Sequence, residues 1–212
     1  MNKITIIGSG SVGSTIAYTA TVMGLASEIV MIDINEEKAL GEALDIRQGI
    51  PFCNPATVRA GSYQDAVDSD IVIITSGLPR KPGQTRLDLA QANVNIMKSI
   101  ATEIVKYAPK ATYVIVSNPV DILTYVFCKT TGIPEKRVIG SGTILDTSRL
   151  RARVAEYYSV NQKNVHAYIL GEHGDTAFVP WSIANISNVP VEDYRNAVMK
   201  SHLYPEFNRD EV

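Results

Sequence analysis

Lys3-Ile4-Thr5-Ile6-Ile7-Gly8-Ser9-Gly10-Ser11-Val12-Gly13 places a short apolar run directly before three glycines spaced G-x-G-x-x-G. The run is too short and too continuously apolar for an amphipathic helix, and fits a strand covered on both faces. The first glycine allows a tight turn, the second lets the backbone approach a pyrophosphate, and the third lets helix and strand pack closely. Amides at the start of the following helix then face the phosphates. Glycine is common in strand-to-helix turns, so the context has to carry the reading. Asp33 lies 20 residues after Gly13, at the end of a second apolar run, Ile29-Val30-Met31-Ile32. A carboxylate there accepts hydrogen bonds from ribose hydroxyls and repels a 2′-phosphate, which predicts NAD over NADP.

Working outward, apolar runs recur at Ile4 to Ile7, Ile29 to Ile32, Ile71 to Ile74, Tyr113 to Val116 and Val165 to Leu170. Helical stretches lie between them at Ser14 to Met23, Glu36 to Gln48, Leu87 to Lys106 and Ile122 to Lys129. This alternation predicts an α/β fold, a Rossmann-type doubly wound parallel sheet. After Gly140-Ser141-Gly142 the texture changes to a basic helix from about Leu145 to Tyr158 and a Gly-Glu-His-Gly-Asp turn. The expected division is an NAD-binding domain over residues 1–140 and the first part of an α+β substrate domain over residues 141–212. The second is shorter than the usual ~100 to 150 residues. Glu206 to Val212 closes no visible element, so the expectation is a chain that stops within its second domain.

The composition excludes several classes. Of 212 residues, 45% are hydrophobic and 20% charged, which is ordinary for a globular protein and unlike a disordered or collagenous chain. Twenty Lys and Arg against 22 Asp and Glu give a net charge of −2, with no net attraction to nucleic acid or an anionic membrane. Cys53 and Cys128 stand far apart without a C-x-x-C pair or a nearby histidine, so neither a zinc site nor a disulfide framework is expected, and no metal is assigned. No apolar run reaches the length of a signal core or a membrane span, and the cytoplasm is the expected compartment.

Three histidines can each be weighed. His202 sits in a polar stretch and reads as a surface residue. His166 falls within the last apolar run and is compatible with a structural role. His173 lies between Gly171-Glu172 and Gly174-Asp175, where glycines let the backbone approach a ligand. An imidazole there can exchange a proton with a substrate hydroxyl near neutral pH. Asp146 and Arg149, at i and i+3, share one helix face. The carboxylate can orient an imidazole, and the guanidinium can hold a substrate carboxylate bidentately. The same spacing also suits an ordinary ion pair on a solvated face. Arg80 and Arg86 lie in Leu78-Pro79-Arg80-Lys81-Pro82-Gly83-Gln84-Thr85-Arg86, after a sheet strand, where ligands of such folds bind; a hydrated basic loop is the plainer alternative.

The segments IIGSGSVGS, VMIDIN, KPGQTRLDL, IVSNPVDILTY, VIGSGTILDTSRLR and LGEHGDTAFVPWS, in this order from Lys3 to about Asn196, resemble the NAD-dependent L-lactate and malate dehydrogenases, bacterial L-lactate dehydrogenases in particular. The resemblance implies that His173 is proton donor and acceptor, Asp146 its partner, Arg149 the carboxylate anchor and Arg86 the arginine that polarises the reacting carbonyl. It implies that Asn118 bonds the substrate oxygen beside the nicotinamide and that Asn118-Pro119 is cis. It further implies cofactor contacts at Gly8, Gly10, Val12, Gly13, Asp33, Lys38, Tyr63, Gly77, Ser99, Val116 and Asn118. The family's chains continue beyond this one, and the remainder supplies the rest of the substrate pocket.

Within the family, Gly140-Ser141-Gly142-Thr143, Glu172 and Trp181 resemble lactate enzymes, while Arg80 and Gln84 resemble malate enzymes. The balance of features favours L-lactate dehydrogenase, acting on pyruvate and lactate, with malate dehydrogenase, acting on oxaloacetate and malate, as the alternative. An NAD-binding fragment without turnover is a further alternative of a different class. Activated bacterial members carry arginine and histidine where Arg151 and His166 stand, which implies a fructose 1,6-bisphosphate effector site. A surface arginine and a core histidine account for the pair equally well. The family also implies a homotetramer or homodimer.

Overall fold

The structure is a computed structural model that describes residues 2–79, 83, 86–197 and 208–210. The chain divides into two compact units, Met1–Ser141 and Gly142–Val212.

The first unit is built on a six-stranded parallel sheet: β1 (Lys3–Ile7), β2 (Glu28–Ile32), β3 (Thr57–Ala60), β4 (Ile71–Ile74), β5 (Thr112–Ile115) and β6 (Val138–Gly140). Its order is β3-β2-β1-β4-β5-β6, so the chain reverses direction across the sheet between β1 and β4. That reversal opens a crevice at the carboxyl ends of the strands, where such sheets bind ligands. The central strands explain the continuous apolar runs, for Ile6, Ile29, Val30 and Met31 are fully buried, with layers on both faces. One face packs Val30, Val72, Ile74 and Ile115 among Met97, Ile104, Leu123 and Phe127 of α3 (Arg86–Tyr107) and α4 (Val120–Thr131). The other packs Ile6, Ile29 and Met31 with Ala17 and Ala20 of α1 (Ser11–Val22) and Ala43 and Ile46 of α2 (Glu36–Gln48).

Local chemistry sets the helix ends. Asn35 caps α2 by accepting the Lys38 N–H, with Glu36 and Glu37 in the first turn, favourable toward the helix dipole. Gly132 ends α4 at φ +67°, a conformation that glycine adopts without strain. Helix α1 begins at Ser11, three residues before the expected Ser14, because the turn of the glycine segment runs directly into it.

Strands β3 and β6 were absent from the expectation. Thr57-Val58-Arg59-Ala60 buries only Val58 completely, and β6 has three residues, so neither shows a continuous apolar run. β3 is held at the edge by ion pairs: Arg59 bonds Glu28 at 3.0 Å and Asp65 at 2.7 Å.

The second unit holds α5 (Ile144–Tyr157) and a three-stranded antiparallel sheet of β7 (Val165–His166), β8 (Asn185–Ile186) and β9 (Val189–Pro190), in that order. Its core gathers Leu150, Val154, Tyr158, Val165, Ala167, Ala184 and Ile186. The run Val165 to Leu170 is not a strand covered on both faces. Val165 and Ala167 are buried while His166 and Tyr168 are exposed, the period-two pattern of a sheet packed on one side only.

Candidate active site

The glycine turn is built as its spacing demands. Gly8 has φ +105°, and a side chain there would meet Thr75 Oγ1 at 2.7 Å. At Gly13 a Cβ would lie 1.8 Å from the Gly8 carbonyl oxygen, so only glycine lets α1 sit this close to the end of β1. Thr75, following β4, donates to the Gly8 carbonyl at 2.9 Å and fixes the turn to the neighbouring strand. At Gly10 nothing lies within 4 Å of the added Cβ.

These residues fit a dinucleotide's phosphates. The N-terminus of α1 carries no side-chain cap and no acidic residue in its first turn, so its amides suit an anion. Ser9, absent from the expected contacts, has a fully buried hydroxyl without a partner among the described residues. No motif marks Ser9, since its orphaned oxygen follows from the turn's shape. Asp33, at the end of β2, accepts the Ser9 N–H at 2.6 Å and the Asn35 N–H at 2.9 Å. The carboxylate thereby joins the glycine turn to the edge where a ribose would lie.

Other expected cofactor residues lie in the same unit. Val12 is exposed in the first turn of α1, and Val116 follows β5, its N–H bonded to Ile74 O at 2.9 Å. Tyr63 is half-buried beyond β3, where burial, with Glu103 nearby, pushes its phenol up from the ordinary value. Lys38 is exposed in the first turn of α2, and Ser99 is exposed midway along α3.

Asn118 is exposed, and its peptide bond to Pro119 is cis. Buried Asn93 of α3 organises this region. Its Nδ2 donates to the Asn118 carbonyl at 2.8 Å, and its Oδ1 accepts the Leu78 N–H at 2.8 Å, joining the segments after β4 and β5. A Cβ added at Gly77 would meet this asparagine at an ordinary contact distance of 3.5 Å. Ser117 adds a second tie by donating to Ser76 O at 2.6 Å. Asn93 escaped the sequence reading because a single asparagine in a long helix resembles a surface residue. Arg80 and Gln84 lie outside the described residues, as does His202; Arg86 is the first residue of α3.

In the second unit the geometry joins Asp146 to both of its candidate partners. His173 Nδ1 lies 2.5 Å from Asp146 Oδ2, and Arg149 Nη1 lies 3.1 Å from Oδ1. The ion pair on the helix face therefore exists, and the same carboxylate also holds the imidazole. Arg149 remains 66% exposed, which leaves its guanidinium accessible to an incoming anion. Arg151 donates to Gln162 O at 3.4 Å, while His166 is exposed on β7, which excludes a core histidine there. Among the described residues no His, Cys, Asp and Glu cluster could hold a metal, and no helix is long and apolar enough to cross a membrane.

Comparison with known proteins identifies the family. Residues 2–140 match the family described as lactate/malate dehydrogenase, NAD binding domain, and residues 143–209 match lactate/malate dehydrogenase, alpha/beta C-terminal domain. The L-lactate dehydrogenase of Clostridium perfringens (strain SM101 / Type A) is 52% identical over 197 residues, 93% of this chain and 62% of its own length. That of Thermoanaerobacter sp. (strain X514) is 51% identical over 201 residues, 95% of this chain and 65% of its own. The chain thus spans under two thirds of these relatives. The crystal structure of the minor L-lactate dehydrogenase from Enterococcus mundtii superposes with a TM-score of 0.90 at 41% identity, covering 99% of this chain and 65% of that one. The malate dehydrogenase from Picrophilus torridus reaches 0.87 at 37% identity, covering 91% and 62%. With two domain matches in chain order and relatives at half identity along nearly its whole length, this NAD-binding chain belongs to the lactate/malate dehydrogenase family.

Proposed function

We propose that the protein is an L-lactate dehydrogenase that interconverts pyruvate and lactate. The contact of 2.5 Å between His173 Nδ1 and Asp146 carries the reading. An ionised carboxylate only accepts hydrogen bonds, so Nδ1 holds a proton toward Asp146 and exchange with the substrate oxygen falls to Nε2. Bound NAD supplies or accepts the hydride. Arg149 binds the substrate carboxylate, Asn118 bonds the substrate oxygen, and Arg86 stabilises charge building on that oxygen. Relatives at 50 to 52% identity bearing the L-lactate dehydrogenase name support pyruvate over oxaloacetate.

The test is a steady-state assay of the full-length protein and of Arg80→Gln with both 2-oxo acids. The expected result is preference for pyruvate, with pyruvate kcat/KM little changed by the substitution. A large gain for pyruvate with collapse for oxaloacetate would make the native protein a malate dehydrogenase. The reading includes a cytoplasmic homotetramer or homodimer and a fructose 1,6-bisphosphate site at Arg151 and His166, supported by the exposure of His166. Activity unresponsive to millimolar fructose 1,6-bisphosphate between pH 5 and 8 would remove the effector.

A further inference from the structure

Thr143, Asp146, Thr147 and Leu150 form the inward face at the start of α5, while Ile144, Leu145, Ser148 and Arg149 are exposed. The first three of that face grip the segment that ends in the His173 turn. Thr143 Oγ1 donates to the Ile169 carbonyl at 2.7 Å, and the Ile169 N–H donates to Thr147 Oγ1 at 2.9 Å. Both main-chain groups of Ile169 are thus paired by hydroxyls of the helix that carries Asp146.

This is not what a helical hydroxyl ordinarily does. Thr15, Thr21, Thr124, Thr131 and Ser148 each donate to the carbonyl four residues back, the common local bond. Thr147 turns across to Ile169 instead.

Beyond Ile169, the chain enters the turn through Gly171 at φ +98°, and Leu170 pairs with Phe178 to close it. Inside the turn, Gly174 N–H bonds Glu172 O and Ala177 N–H bonds Gly174 O, bonds that hold its shape without tying it to α5. Besides the His173–Asp146 contact, the hydroxyl pair ties the segment to α5, from positions three residues before and one residue after Asp146 on the helix and at a point four residues before His173.

We propose that Thr147, assisted by Thr143, is a positioning residue for proton transfer, setting the His173 segment along α5 so that the imidazole meets Asp146. The proposal rests on the reading of His173 as the acid-base group. Because Thr147 and Asp146 are adjacent on one rigid turn, anchor and carboxylate keep a constant spacing. A displacement of about 1 Å at such a site can cost on the order of 10²-fold in rate.

The experiment compares Thr147→Val, which keeps the shape and removes the hydroxyl, with Thr147→Ser, which restores it. Three quantities are read in the full-length protein: kcat with pyruvate, NADH affinity by fluorescence, and the downfield NMR signal of the imidazole proton shared with Asp146. Thr147→Val is expected to lower kcat by about 10- to 100-fold, to leave NADH affinity within about twofold, and to lose the signal. Thr147→Ser is expected to keep both rate and signal. Unchanged rate and signal in Thr147→Val, or a serine variant as impaired as the valine one, overturns the proposal. If Thr147→Val does not fold, Thr143→Ala decides. A weakened signal and faster Ile169 amide exchange support the role, and no change in either overturns it. If the native protein turns over neither 2-oxo acid, the dehydrogenase reading fails, while the NMR comparison still decides whether Thr147 positions His173.

Discussion

Asp146 shows how much a single carboxylate can organise, with one oxygen on His173 and the other on Arg149. Replacing His173 by Gln removes the exchangeable proton and leaves the glycine turn and Asp33 untouched. The expected outcome is a fall in kcat of about 10² to 10⁴ with NADH affinity preserved, read by steady-state kinetics and a fluorescence titration. Near-native turnover would refute the acid-base assignment. Asp65 makes a separate test at the same scale. Hydrogen bonds from the Ser62 backbone, Arg59 and the Ser62 hydroxyl hold its carboxyl at about 2, below the ordinary carboxylate value of 3.8. A depressed folded value stabilises above the unfolded value, and the stabilisation disappears as pH falls through the folded one. Asp65→Asn should therefore cost stability at pH 7, with the gap to the native protein closing between about pH 4 and pH 2. With a side chain 35% exposed, solvent screening reduces the effect to about 1 kcal/mol. Urea unfolding at pH 7, 5 and 3 measures this, and a gap of equal size at all three would contradict it.

At the scale of elements, the start of α1 tolerates no added atom. Gly13→Ala would drive a methyl to within 1.8 Å of the Gly8 carbonyl oxygen, so strand or helix must move. The expected cost is about 3 kcal/mol, with loss of measurable NADH binding. Denaturant midpoints and fluorescence titration check the two parts, and a native-like variant that binds NADH would show that the turn can relax. Asn93 of α3 links the segments after β4 and β5. Asn93→Leu leaves the Leu78 N–H and the Asn118 carbonyl without this partner, a cost of about 1 to 3 kcal/mol for such groups. We expect kcat/KM for the 2-oxo acid to fall at least about tenfold while the circular dichroism spectrum stays native. An unchanged kcat/KM would reduce Asn93 to a packing residue.

At the scale of the molecule, the parts readable from sequence are those governed by neighbours along the chain. Continuous burial of a central strand demands continuous apolar residues, so β1, β2, β4 and β5 were visible as runs. The glycine turn demands its spacing because Gly8 needs a positive φ and Gly13 needs room beside Gly8. Asp33 followed from its place at the end of a recognisable strand, and His173, Asp146 and Arg149 from motifs shared with a family. Tertiary structure decided the rest. β3 at the sheet edge and the three-residue β6 gain order from pairing with β2 and β5 and not from their own composition. No motif reading reveals the bonds that Ser9, Asn93, Thr143 and Thr147 make or lack, because a serine, asparagine or threonine has many local partners and its choice is made by whatever backbone is folded against it. The sequence by itself determined the alternating strands and helices and the dinucleotide turn, and it pointed to His173 and Asp146 as the candidate acid-base pair. Only the fold decided which polar side chains hold those pieces in place, since hydrogen bonds between segments far apart in the chain depend on distances that no local pattern encodes.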